Sequence, residues 1–187
     1  KGVGILIARR VAPLEPWVRG GPQEGGVVGG TENVAGIAGA AVAVMKAVQQ
    51  QAERAARWAP MRDALEARIV AGLPGAKAWG HGAGRVANTT FISVPGIEAE
   101  AALMQLSQRG IHAASGAACS SSEPEPSHVL LAMGASRAEA HGALRLSLPP
   151  EGIAAGDIPA AADTIIDVLQ RLQRDTQQPG RAPEGSA

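Results

Sequence analysis

The residue whose type and setting best suit chemistry is Cys119, the only cysteine among 187 residues. It stands in Ala114-Ser115-Gly116-Ala117-Ala118-Cys119-Ser120-Ser121-Ser122-Glu123-Pro124-Glu125-Pro126, a run with almost no large apolar side chain, no periodicity, and prolines at its exit. Most free cysteines are small buried hydrophobes. Here small polar neighbours give nothing to build a core around, and irregular connections of about 12 residues are usually functional or disordered. An exposed thiol on such a loop suits a nucleophile that must travel. The thiolate is the reactive form and needs a base or a positive field, and no histidine adjacent in sequence supplies one. His128 follows the loop as a packing or capping residue, and His81, His112 and His141 read as structural. A single cysteine excludes an intramolecular disulfide framework and is compatible with a reducing compartment.

The elements that must carry this loop follow from periodicity. Val3 to Ala8 is short, apolar and β-branched, which predicts a largely buried strand. A buried strand needs neighbours, so its place at the start predicts that the chain is part of something longer. A Gly- and Pro-rich loop from Pro13 to Gly30 leads to Thr31-Glu32-Asn33, N-cap chemistry for a long helix to about Arg57. The small side chains of its first half permit close packing against another backbone. Pro60 breaks that helix, and Met61, Leu65 and Ile69 begin a new one over 61–72, which sets a domain boundary near Trp58. Beyond it come a strand at Thr90, Ile92 and Val94, a helix from Glu98 to Gln108 stopped by Gly110, and a strand from Ile111 to Ala114. After the Cys119 loop, Ser127 caps a helix whose apolar face is Val129, Leu130 and Met133. Leu144, Leu146 and Leu148 alternate with Arg145 and Ser147 in a strand, and Ile158, Ala162, Ile165, Leu169 and Leu172 mark a final amphipathic helix. The polar tail from Asp175 predicts disorder. This order of elements is that of an α/β or α+β sandwich.

Composition sets outer bounds. Apolar residues make up 45% and charged residues 18%, enough for a soluble core, and aromatics at 2% leave that core mostly aliphatic. Seventeen basic and seventeen acidic side chains balance, so there is no electrostatic footprint for nucleic acid or an anionic membrane. No run approaches the ~20 apolar residues of a membrane-spanning helix, and no metal site is expected.

Five ordered segments carry a resemblance. Ser115-Gly116-Ala117-Ala118-Cys119-Ser120-Ser121 with Glu125-Pro126-Ser127-His128-Val129-Leu130 and Ala132-Met133-Gly134 resembles the active-cysteine loop and following helix of NifS/IscS-type cysteine desulfurases. Gly20-Gly21-Pro22-Gln23-Glu24 with Gly30-Thr31-Glu32-Asn33 is similar to that family's glycine-rich segment, and Lys1-Gly2-Val3-Gly4 to the end of its Gly-Pro-Lys-Gly motif. Arg85-Val86-Ala87-Asn88-Thr89 and Arg145-Leu146-Ser147-Leu148 match two further landmarks in order.

The resemblance implies a fold-type-I transferase dependent on pyridoxal 5'-phosphate. Residues 1–57 would be the C-terminal portion of the large cofactor-binding domain, 58–174 the α+β small domain, and 175–187 a disordered tail. It implies that Cys119 accepts sulfur from L-cysteine as a persulfide, releasing alanine. Arg145 would pair with the substrate carboxylate, a task that suits a planar guanidinium, although its pattern alone fits a surface ion pair equally well. Thr31 would reach the cofactor phosphate of a homodimer partner, or serve as a helix cap, or both. A cytoplasmic homodimer handing sulfur to a scaffold protein for iron–sulfur or other thio-cofactor assembly follows from the same likeness. The sequence departs from the pattern at Pro22, at Gly25, Val27 and Val28 where arginines are usual, at Ala117 where a serine is usual, and at Pro149-Pro150. Its lysines are Lys1, Lys46 and Lys77, none at the position of the cofactor lysine, so the chain alone is expected to be incomplete. Alternatives are a related class-V enzyme such as a selenocysteine lyase, and a non-catalytic module that carries persulfide or docks a scaffold.

Overall fold

The computed structural model describes residues 2–9, 12–116 and 126–177. Its longest element is α1, Val34–Gly72. Asn33 rather than Thr31 caps it, its Oδ1 accepting from the Gly36 amide at 3.0 Å. The helix runs on through Pro60, where the sequence predicted a break. Proline removes the bond to the carbonyl four residues back. That carbonyl belongs to Ala56, which is exposed like Pro60 itself, so water can replace the lost donor. Beyond the proline, burial of Met61, Leu65 and Ile69 holds the helix in line.

The chain divides into two compact units, Lys1–Ala52 and Glu53–Ala187. In the first, residues 2–9 form no strand, and Ile5, Leu6 and Ile7 are 68%, 74% and 93% exposed. The expected buried strand fails because no described segment of the unit offers it a partner ladder. A turn at Gln23–Gly26 folds the loop back so that Val18 and Val28 form an isolated parallel bridge. No described residue of this unit is buried.

The second unit is built on a four-stranded antiparallel sheet: β1 (Lys77–Ala78), β2 (Thr89–Ser93), β3 (Ala114–Ser115) and β4 (Ala143–Ser147), in the order β1-β2-β4-β3. The strand expected at 111–114 is confined to its end, and β1 lies where a loop was expected. One sheet face, with Ile92, Leu144 and Leu146, packs on the second half of α1, on α2 (Ala99–Gln108) and on α5 (Ile158–Gln177). Ile158, Ala162, Ile165 and Leu169 bury one stripe of α5 at helical spacing, each large side chain stabilising by about 1.5–3 kcal/mol. Helix α5 continues to Gln177, past the point where disorder was expected at Asp175; residues 178–187 lie outside those described. Gly110 ends α2 as expected: at φ +77° it lets its own amide reach Ser107 O and the Ile111 amide reach Leu106 O.

A smaller layer covers part of the opposite face. It consists of α3 (His128–Ala132) and α4 (Arg137–His141), with Trp79, Leu130, Ala135, Ala140 and Ala143 forming a second core against which Phe91 and Leu131 pack. Ser127 caps α3, accepting from the Leu130 amide at 3.4 Å, as its sequence suggested. Of the three apolar residues assigned to α3's inner face, Leu130 is buried, while Val129 and Met133 are exposed. His128 is exposed as well. Helix α4 was missed, although Ser136 and Glu139 form a capping box that is legible in sequence.

Candidate functional site

The β2–β4 ladder decides where Arg145 stands. Alternation along β4 sends Leu144 and Leu146 into the main core and leaves Arg145 and Ser147 exposed on the other face. Arg145 lies opposite Phe91 on β2 and opposite Ala114 on β3. At one end of this face Ala143 pairs with Ser93, whose hydroxyl accepts from Trp79 Nε1 at 2.6 Å beneath α3 and α4. At the other, Ser147 pairs with Thr89, their hydroxyls 3.0 Å apart and open to solvent. Arg145 therefore sits where the second layer stops. Among the described residues no hydrogen bond or ion pair engages its guanidinium.

The strand that flanks Arg145 on its other side is the root of the cysteine-bearing segment. After Ala114 and Ser115 the chain passes Gly116 and leaves the described residues until Pro126; Cys119 lies outside them. Pro126 and Ser127 are buried where the chain re-enters. The fold thus brings Arg145 beside the strand from which the thiol-containing segment departs. Thr31 belongs to the other unit, exposed and three residues ahead of α1. Helix amides and a free hydroxyl at such a position suit a phosphate group.

An anchor for pyridoxal phosphate is a separate matter. A Schiff-base lysine must present a free amine to the cofactor ring. Lys77 instead lies 3.9 Å from the centroid of the Trp79 ring and 3.7 Å from Glu139 Oε1. Lys46 is exposed on α1 within the first unit. Of the two described lysines, then, Lys77 is engaged by Trp79 and Glu139 and Lys46 lies on an exposed helix surface.

A cluster that sequence reasoning missed lies behind the sheet. Glu66 of α1 is 5% exposed. Its carboxylate accepts from Arg85 Nη1 at 2.6 Å, from Arg85 Nη2 at 2.9 Å, and from the Thr90 hydroxyl. His81 Nδ1 lies 3.2 Å from the same carboxylate. Burial pushes the Glu66 carboxyl up, but the bonds from Arg85, Thr90 and His81 and the Arg85 charge outweigh it and hold it at about 2. Arg85 is accordingly a structural tie between α1 and the loop that leads into β2. Asn88 is likewise structural: its carbonyl accepts from the Leu148 amide at 2.8 Å, and its side chain donates to Leu148 O at 3.3 Å. The available signal was Glu66 next to Leu65, a charge on the edge of an apolar stripe.

Comparison with known proteins places these features. The aminotransferase class-V profile matches residues 1–152. The chain is 39% identical over 173 residues to a cysteine desulfurase of Gluconacetobacter diazotrophicus, covering 92% of this chain and 43% of that one. It is 45% identical over 148 residues to the cysteine desulfurase NifS of Azotobacter vinelandii, with 79% and 37% covered. A NifS-like protein of known structure superposes with a TM-score of 0.72 at 30% identity, over 87% of this chain and 41% of that chain. A NifS-like protein of Rickettsia africae gives 0.70 at 26% identity over the same shares. The chain spans about two fifths of the length of these relatives. No described helix is long and apolar enough to cross a membrane, and no group of three potential metal ligands gathers among the described residues.

Proposed function

This chain belongs to the aminotransferase class-V family, as a fragment of the cysteine desulfurase type, and from that footing we propose that it supplies the sulfur-accepting part of such an enzyme. Residues 1–57 are the end of the large domain and 58–174 the small domain of the complete protein. Cys119 is the acceptor and Arg145 the group that holds the carboxylate of L-cysteine. The observation that carries this reading is the register of Arg145 with Ala114, which sets a guanidinium beside the root of the thiol-bearing segment.

The reaction balances without a further reductant. The carbon–sulfur bond of the substrate breaks, a sulfur–sulfur bond forms at Cys119, and the proton displaced from the thiols ends on the carbon product, giving alanine and a persulfide. Pyridoxal phosphate, when bound in the complete enzyme, supplies the electron sink that makes the carbon–sulfur bond labile. This chain's part is to fix the carboxylate through a bidentate pair at Arg145 and to bring the Cys119 sulfur to the substrate. Thr31 reaches the phosphate of a homodimer partner, and the persulfide passes to a scaffold or other acceptor protein.

The test is made in the protein carrying the upstream sequence. Cys119→Ala abolishes alanine release from cysteine. Arg145→Gln raises KM for cysteine by about tenfold to a hundredfold, the worth of a charge-assisted bond pair. Alanine release unchanged in the Cys119 variant would sink the reading. A second reading, a persulfide carrier without cofactor chemistry, draws on the engaged Lys77 and the exposed Lys46. It expects the chain alone to give no absorbance band near ~420 nm with added pyridoxal phosphate.

A further inference from the structure

The loop ahead of α1 is closed on itself by one side chain. The Gly30 amide donates to Gln23 Oε1 at 3.2 Å, joining the start of the Gln23–Gly26 turn to the residue before Thr31. The Gln23 side chain lies back over the chain at Gly21, where an added β-carbon would stand 2.5 Å from its Oε1, 3.0 Å from its Nε2 and 3.1 Å from its Cδ. A second tie runs alongside. The Gly29 amide donates to Val18 O at 2.8 Å, and a β-carbon added at Gly29 would lie 2.8 Å from Gly20 Cα. Neither Gly21 nor Gly29 occupies the left-handed region, so close approach is what calls for glycine at both. Gly30 does occupy it, at φ +113°, and there the chain turns out of the loop. Two residues past Thr31, the Asn33 side chain is held to the Gly36 amide at 3.0 Å. Thr31 therefore stands between two tied neighbours, its Cα about 3.8 Å from that of Gly30.

We infer that Gln23 is a positioning residue: its carboxamide clasps the loop of residues 18–30 and so sets where Thr31 presents its hydroxyl to a phosphate group. The inference rests on the phosphate role proposed for Thr31. No described residue of this unit is buried, so among the described residues it is these ties, and not core packing, that hold the loop exit. Glu24, in the left-handed region at φ +49°, carries backbone strain that a loose loop would relax. A hydroxyl donates to an anion over a narrow range, about 2.5–2.7 Å. An exit free to move would spread Thr31 over positions most of which miss that range. Gln23 touches neither phosphate nor substrate in this scheme and acts only through Thr31. A residue that served the loop's stability alone would alter cofactor affinity equally with and without a phosphate.

The experiment is made on the protein carrying the upstream sequence, freed of cofactor. Dissociation constants are measured by absorbance for pyridoxal 5'-phosphate and for pyridoxal, which lacks the phosphate. The readout is the preference for the phosphate form, the ratio of the two constants. Thr31→Ala is expected to weaken pyridoxal phosphate by about tenfold or more, the worth of a bond to a charged group, and to leave pyridoxal unchanged. Gln23→Ala weakens it in the same selective way by about fivefold, the worth of one neutral bond. Gly21→Ala does likewise, because its methyl displaces the far end of the Gln23 side chain. Added to Gln23→Ala, it changes nothing further, since the atoms it would strike are gone. If Gln23→Ala does not fold by circular dichroism, Gly21→Ala decides alone. A preference unmoved by Gln23→Ala or by Gly21→Ala, an equal loss with both ligands, or a further loss in the double variant overturns the inference. With any of those results, a preference lost in Thr31→Ala leaves the phosphate role of Thr31 standing. A preference intact in Thr31→Ala removes that role and the inference together. Alanine release does not enter the measurement, so the desulfurase reading is tested apart from it.

Discussion

Glu66 is the residue on which the fold of the second unit depends most for its electrostatics. It links α1 to the loop through Arg85 and His81 and to β2 through Thr90. Its carboxyl, ordinarily at 4.5, is held at about 2 in the folded chain. A depressed carboxylate contributes stability above its unfolded value and loses it as pH falls through its folded value. The contribution is therefore complete above about pH 4.5 and disappears towards pH 2, and it is worth about 3 kcal/mol. Urea unfolding followed from pH 7 to pH 2.5 should show a midpoint that drops steeply below pH 4.5. Glu66→Gln should lower stability at pH 7 by about 3 kcal/mol, because the half-buried Arg85 is left with a weaker partner, and should flatten the acid limb. An unaltered acid limb in that variant would assign the acid sensitivity to other groups.

Among the elements, α1 most clearly separates local preference from tertiary outcome. Pro60 is a strong local stop, yet the helix continues because the side chains beyond it are buried and the orphaned Ala56 carbonyl faces water. Pro60→Ala restores a donor at an exposed position and should stabilise the chain by about 1–3 kcal/mol, seen as a higher thermal midpoint by circular dichroism. No gain would mean that the helix is shaped by its proline. The strands give the converse case. The alternation of Thr90, Ile92 and Val94 and of Leu144, Leu146 and Leu148 was legible, because each strand has one face in the main core. Two-residue β1 and β3 carry too few residues for any period to register.

For the whole molecule, the two units differ in kind. The second has a closed core, whereas the first exposes Ile5, Leu6, Ile7, Val34, Val44, Met45 and Val48. Exposed apolar side chains in that number favour association. The chain on its own should therefore self-associate and bind a hydrophobic dye. Replacing Val44 and Val48, one turn apart on α1, with Lys should shift sedimentation towards monomer and reduce dye binding. Dye binding and sedimentation unchanged by these replacements would place the sticky surface elsewhere.

The sequence by itself determined the chemistry-bearing residue types, the main amphipathic elements and the family. These rest on local properties: a cysteine among small polar residues, an apolar period, a glycine at a helix end, and ordered motifs. Tertiary structure alone decided that Arg145 stands between Phe91 and Ala114, that Gly116 packs close to Phe91 and to Ser127, and that Glu66 meets Arg85 and Thr90. Each of those pairings joins residues far apart in the chain. Strand register and core packing set them, and no spacing within a single segment encodes either.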